Sequence, residues 1–175
     1  MDQNMLGLSL RETMRQHSAR AYAPLLDLAK NGSALEKGAA SGALGAVNDD
    51  AIYKKILNDI VLSENSPLTG RQSGTVLNSL LASDKFGDQT WDWFKANLAT
   101  YVQKVPDVRK GGLPGAGGNF CSLERRDEVR QFVEANAELM PGYERSLAQT
   151  LESIELCAAL KDAKSKDLAA ALKAR

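Results

Sequence analysis

Histidine is almost absent from this sequence, since His17 is the only one in 175 residues. One histidine cannot build a His-Glu-x-x-His zinc motif or a multi-histidine metal site. A Ser-His-Asp arrangement would need a serine held on a strained turn, and no Gly-x-Ser-x-Gly motif occurs. We therefore expect no catalytic residue, no metal ligand and no cofactor in this chain, and we place His17 at the surface or the end of a helix.

Cysteine is scarce as well. Cys121 and Cys157 are the only two, too few for a disulfide framework, and they lack Cys-x-x-Cys spacing. Unpaired cysteine usually packs as a small hydrophobic residue. We predict two buried free thiols.

Net charge is also lacking, because 22 Lys and Arg balance 22 Asp and Glu. Because a chain without net positive charge does not attract a polyanion, we expect no nucleic acid as a partner. No apolar run approaches the roughly 18 residues of a membrane span, and the first residues lack the apolar segment of a signal peptide. The prediction is a soluble chain with no membrane partner, and the compartment stays open.

What the sequence does have is helical periodicity from end to end. Apolar residues make up 43% and charged residues 25%, values typical of a globular protein. Ser33 and Glu36 form a capping box, and Asp88 is a candidate cap for the helix containing Trp91. Near the C-terminus we predict separate helices over residues 143–160 and 165–173. No segment shows strand-like alternation.

We therefore predict an all-α fold of eight or nine helices in a single domain over residues 1–175. Helix pairs of this length are typical of a HEAT- or ARM-like α-solenoid, although no sequence period can be traced. The first helix carries Leu6, Leu8, Leu10 and Met14 with no capping segment before it, so we expect an exposed apolar patch there.

Glycines within one predicted helix indicate close packing. Gly38, Gly42 and Gly45 each weaken a helix by roughly 1 kcal/mol relative to alanine. We expect a neighbouring helix to approach closely in compensation.

A second glycine-rich stretch, residues 106–119, is predicted to be a loop because it contains five glycines and two prolines. It does not match phosphate-binding motifs: Gly118 and Asn119 stand where a P-loop needs Lys and Ser or Thr, and Phe120 replaces the third glycine of a dinucleotide motif. A flexible or tightly turned connector is the better interpretation.

Three further patterns concern packing. Trp91 and Trp93 point in different directions on one helix, so Trp93 contacts either a second helix layer or another domain. Residues 124–128 are predicted to form a solvated face of mixed-sign pairs. Within residues 143–160 one stripe is predicted to be core, and its members are Leu147, Leu151, Ile154 and Ala158.

Three segments, in this order, resemble the C-terminal helical domain of aminopeptidase N-type zinc aminopeptidases, the M1 or gluzincin family. They are TWDWFKANL, LPGAGGNFCSLERRDEVRQFVE and RSLAQTLESIEL, and the resemblance covers roughly residues 91–160. Residues 1–90 resemble the family only in helical patterning. The sequence departs from the family at Leu98, where Trp is common, and at residues 156–158, where an Asn-x-x-Trp-like ending is usual.

The resemblance implies a non-catalytic domain that closes over the active site of a larger enzyme and walls its peptide chamber. Its partners would be the catalytic domain of the same polypeptide, which holds the zinc, and the peptide substrate. Arg109, Lys110 and Asn119 are candidate chamber contacts, and Trp93 is a candidate inter-domain contact. The alternatives are a free-standing helical-repeat adaptor for a peptide or protein and, less favoured, a self-contained helical enzyme with an unrecognised site.

Overall fold

The chain folds into helices alone over the part that this computed structural model describes, residues 3–173 for the backbone and 5–165 for the side chains. Within that part there are nine α-helices and no strand, so the predicted all-α fold is confirmed. The residues form two compact units, 1–104 and 105–175. That residues 1–175 act as a single domain stays a prediction.

The first unit contains six α-helices and one π-helix. Its elements are α1 Gln3–Gln16, α2 Ser18–Asn31, α3 Ala34–Leu44, α4 Asp50–Ile56, a π-helix Leu57–Leu62 that continues α4, α5 Gly70–Leu81 and α6 Gly87–Val102. The middle helix, α3, contacts α1, α2 and α5. The core of this unit therefore forms around α3.

Capping side chains set several helix starts. The Ser33 N–H donates to Glu36 Oε2 at 2.8 Å, and the Glu36 N–H donates to Ser33 Oγ at 3.4 Å, which confirms the predicted capping box. Thr69 and Gln72 form a second one, before α5. The predicted cap at Asp88 is wrong, because α6 begins at Gly87 and Asp88 lies within its first turn.

The glycines of α3 differ in their surroundings. A Cβ on Gly45 would lie 2.2 Å from Ser79 Cβ, so α5 does come very close there, as predicted. A Cβ on Gly38 would meet nothing within 4 Å, so the prediction of close packing is wrong for that residue. A small residue is required only at the C-terminal end of α3.

The second unit contains α7 Asp107–Lys110, α8 Leu123–Ala135 and α9 Glu144–Lys173, with 3-10 helices at Leu113–Gly117 and Ala137–Leu139. The prediction of an irregular loop over residues 106–119 is therefore wrong. The 3-10 helix Leu113–Gly117 packs against α8 and α9, with Pro114, Ala116 and Gly117 buried. Its glycines permit close packing and do not prevent helical turns.

The two helices predicted near the C-terminus are one continuous helix, α9, because no glycine or proline interrupts residues 160–165. Leu147, Leu151 and Ile154 are buried, as predicted, whereas Ala158 is only half-buried. The core-facing stripe of α9 thus ends near Ile154.

The prediction of two free, buried thiols is wrong. Cys121 and Cys157 form a disulfide with a Cα–Cα distance of 5.0 Å, and Cys157 lies on an exposed part of α9. The pairing depends on α9 crossing the residues just before α8. Two cysteines separated by 36 positions give no local sign of that crossing.

Candidate functional site

The predicted chamber contacts lie in α7 and in the segment that follows it. The Lys110 Nζ lies 2.8 Å from Asp107 Oδ1, and this hydrogen bond lowers the pKa of Asp107. Arg109 is exposed, and among the described residues its side chain has no hydrogen bond or ion pair. Asn119 is exposed just before α8. Arg109 is therefore the cation that this segment offers to a ligand.

The two tryptophans of α6 occupy different environments. Trp91 is 1% exposed and belongs to the core, whereas Trp93 is only half-buried. The Trp93 carbonyl accepts a hydrogen bond from Asn97 Nδ2 within the same helix. An inter-domain contact of the Trp93 ring stays a prediction.

Sequence reasoning missed a polar cleft of about 650 Å³ in the first unit. It lies among α1, α3, α5 and the turn that follows α5. Its charged and amide groups come from Arg11, Arg15, Asn48, Asn78, Asp84 and Lys85. These residues come from separated parts of the chain, so no local motif could have revealed the cleft.

Intramolecular partners occupy two of the three cations in the cleft. Arg15 Nη2 lies 2.8 Å from Glu12 Oε2, and the hydrogen bond between them lowers the pKa of Glu12. Lys85 Nζ lies 3.2 Å from Asp50 Oδ2 and also donates to a backbone carbonyl, that of Asn48, at 3.0 Å. The charges of Arg15 and Lys85 are therefore already paired within the chain.

Arg11 differs from them, because among the described residues its guanidinium has no ion-pair or hydrogen-bond partner. It lies over Gly42 of α3, where a Cβ would come within 3.4 Å of Arg11 Nη2. A planar guanidinium with free N–H groups binds a carboxylate through two parallel hydrogen bonds. The cleft can therefore bind an anionic group, and Arg11 is its principal donor.

Over the described part of the chain, the side chains do not fit a zinc site. Among the described residues no group of three His, Cys, Asp or Glu side chains could hold a metal ion. Both cysteines are in the disulfide, and His17 is exposed between α1 and α2, which confirms its predicted position at a helix end. Over the same part of the chain, no helix is long and apolar enough to cross a membrane.

The apolar patch predicted on α1 is confirmed only in part. Leu8 is 63% exposed, whereas Leu6 and Leu10 are half-buried and Met14 is fully buried. Met5, which was not predicted to belong to the patch, is 52% exposed.

A shallow groove of about 380 Å³ lies between α1 and α2, with Leu10 and Pro24 in its wall. The accessible surface of the groove is almost entirely apolar, although Thr13, His17 and Arg20 also line it.

Over residues 3–173 these features define an all-α protein built from packed helices, with a cationic cleft in its first unit. A family model described as the ERAP1-like C-terminal domain matches residues 1–156. The chain therefore belongs to this family, the C-terminal domains of ERAP1-like M1 aminopeptidases. The match confirms the resemblance and extends it to the first 90 residues. No curated protein matches the chain.

Proposed function

We propose that this chain is the non-catalytic C-terminal domain of a zinc-dependent aminopeptidase, and that it closes over the active site and walls the peptide chamber. The observation that carries the proposal is the family match over residues 1–156. The zinc belongs to the catalytic domain of the parent polypeptide, where it would activate water. The role of the helical domain is to bind and position the peptide.

Arg11 is the residue best suited to hold a peptide carboxylate. Among the described residues it is the cation of the cleft that has no partner, and the amides of Asn48 and Asn78 lie in the same wall. A contact far from the scissile bond positions the substrate, and its binding energy can be expressed in the transition state. Losing it should lower turnover of peptides long enough to reach the cleft.

Arg109, with Lys110 and Asn119, is the second candidate contact. Lys110 already pairs with Asp107, so the available charge is that of Arg109. The competing interpretation is that α7 carries ordinary solvated charges. The kinetic experiment that tests Arg11 also separates these two interpretations.

The experiment compares kcat/KM in the full-length enzyme for an aminoacyl-anilide and for a series of lengthening peptides. The variants are Arg11→Gln and Arg109→Ala with Lys110→Ala. Arg71→Gln is the matched control, because Arg71 is an exposed arginine on α5 outside the cleft. Arg11→Gln should lower kcat/KM about tenfold for long peptides, equivalent to about 1.4 kcal/mol, and leave the anilide unchanged. Equal effects at every length would refute the chamber role of that residue.

The gene itself separates this proposal from the adaptor alternative. An aminopeptidase domain requires an upstream His-Glu-x-x-His motif in the same reading frame. A reading frame without that motif would favour a free-standing helical-repeat adaptor.

A further inference from the structure

The groove between α1 and α2 has one polar end, at the junction of the two helices. Thr13 lies in the last turn of α1, His17 at the junction and Arg20 in the first turn of α2. The other residues that line the groove are apolar, and they extend away from the junction as far as Leu10 on α1 and Leu28 on α2. We call this surface the α1–α2 groove.

The dimensions of the α1–α2 groove suit a narrow, extended ligand. At about 1.5 Å of rise per residue, Leu10 lies ~10 Å from His17 along α1, and Leu28 lies ~12 Å from Arg20 along α2. The volume of about 380 Å³ is near the lower end of the range for small-molecule sites. Carbon–carbon bonds of ~1.5 Å in a zigzag give an unbranched chain of about ten carbons this length.

The polar end of the groove can bind an anion. Arg20 is exposed, and among the described residues its guanidinium has no hydrogen bond or ion pair. The Thr13 hydroxyl donates to the Ser9 carbonyl at 2.8 Å, so it has no proton left to offer a ligand. None of the residues that line the groove is Asp or Glu. A carboxylate at this end therefore meets the Arg20 guanidinium and a ring N–H of His17, with no acidic residue in the wall.

The apolar part of the groove does not suit a peptide. A buried peptide backbone needs hydrogen-bond partners for its N–H and C=O groups, and leaving them unpaired is costly. Beyond Arg20 the wall of α2 presents only the side chains of Ala21, Pro24, Leu25 and Leu28, which cannot hydrogen-bond. A docked protein segment also needs roughly 20 residues on each side, whereas eight residues line the groove. An acyl chain has no polar group to satisfy along its length.

We propose that the α1–α2 groove binds a free medium-chain fatty acid as its carboxylate anion. The carboxylate lies at the helix junction and accepts two parallel hydrogen bonds from Arg20, and the acyl chain runs between the helices toward Leu10 and Leu28. Burial of the chain supplies most of the affinity, and Arg20 selects the anionic headgroup. The site shares no residue with the cleft at Arg11 and does not depend on the proposed aminopeptidase role.

Calorimetric titration of the 175-residue chain with hexanoate, octanoate, decanoate and dodecanoate, each below its micelle concentration, tests the proposal. Binding should saturate at one ligand per chain. The affinity should rise by at most about fourfold for each added methylene that becomes buried. It should stop rising once the chain is longer than the groove, at about ten carbons.

A pair of ligands with the same chain tests the headgroup contact. Arg20→Gln should weaken octanoate binding about tenfold and leave octan-1-ol binding unchanged, because the alcohol carries no charge. The matched control is Arg71→Gln, since Arg71 is an exposed arginine on α5 outside the groove. This control should bind both ligands as the unmodified chain does.

A second variant tests the apolar end. Leu10→Gln places an amide in the wall far from the junction and should weaken octanoate and octan-1-ol alike, by several-fold. Its matched control is Leu8→Gln, because Leu8 is exposed on α1 and does not line the groove. Circular dichroism should show the same helix content in all four variants.

Three results would overturn the proposal. The first is the absence of saturable binding for every acid in the series. The second is an effect of Arg20→Gln on octanoate no larger than that of Arg71→Gln, which would assign the binding to nonspecific charge. The third is displacement of decanoate by an apolar peptide with a free terminal carboxylate that binds more tightly, which would make the groove a peptide site.

Discussion

Gly117→Ala should destabilise the second unit, although alanine is normally the better helix former. Gly117 is buried in the 3-10 helix Leu113–Gly117, directly against α8. A Cβ there would lie 2.6 Å from Val129 Cγ2 and 2.9 Å from Val129 Cγ1. Ordinary carbon contacts are about 3.5–4.0 Å, so the groups would have to separate by roughly 1 Å.

The valine cannot easily move aside. Val129 is fully buried, and a β-branched side chain in a helix is largely confined to one rotamer. Overpacking of this kind typically costs about 1–3 kcal/mol. We expect that loss for Gly117→Ala. Gly115→Ala should change stability little, because a Cβ on Gly115 of the same 3-10 helix would meet nothing within 4 Å.

A double-mutant cycle with Val129→Ala isolates the clash. Val129→Ala alone should be destabilising, because it leaves a cavity. In that background Gly117→Ala should cost little or be stabilising, since the colliding methyl groups are gone. Urea unfolding followed by circular dichroism gives the four stabilities, and amide exchange at Val129 reports the second unit directly. Equal costs of Gly117→Ala in both backgrounds would refute close packing at this contact.

Three further predictions concern the core, the disulfide and the response to alkali. Leu151→Ala should cost about 2–5 kcal/mol in chemical unfolding, and an unchanged midpoint would contradict its core position. Replacing Cys121 and Cys157 together by Ser should destabilise the folded chain by up to roughly 4 kcal/mol, the loop-closure value for a 36-residue separation. Burial raises the pKa of Tyr101 above its usual value of 10.0. The neutral hydroxyl therefore stabilises the folded chain below pH 10, and this contribution is lost as pH rises through the raised pKa. Tyr101→Phe should reduce the loss of stability at alkaline pH. A pH profile identical to that of the unmodified chain would contradict it.

Local signals predicted the helices well. Apolar spacing and capping act over three or four residues, so the sequence shows them directly. The capping box at Ser33 is present, for example. The mixed-sign pairs of α8 are present too, for example between Arg125 and Glu128.

Features that depend on distant residues were not predicted. Glycine and proline in residues 106–119 indicated a loop, but packing against α8 and α9 stabilises helical turns there. The disulfide and the cleft depend on which helices become neighbours. Arg11 and Gly42 lie 31 positions apart and meet only because α1 packs on α3.

The cleft at Arg11 and the α7 segment at Arg109 share no residue and lie in different compact units. The kinetic tests of the two candidate contacts are therefore independent, because Arg11→Gln changes only the cleft, and Arg109→Ala with Lys110→Ala changes only α7. If only one of these two variants lowers kcat/KM for long peptides and not for the anilide, the peptide contact is assigned to that site and the other site is not part of the chamber. Family membership rests on residues 1–156 and survives either result. What the experiments decide is which surface of this helical domain contacts the peptide.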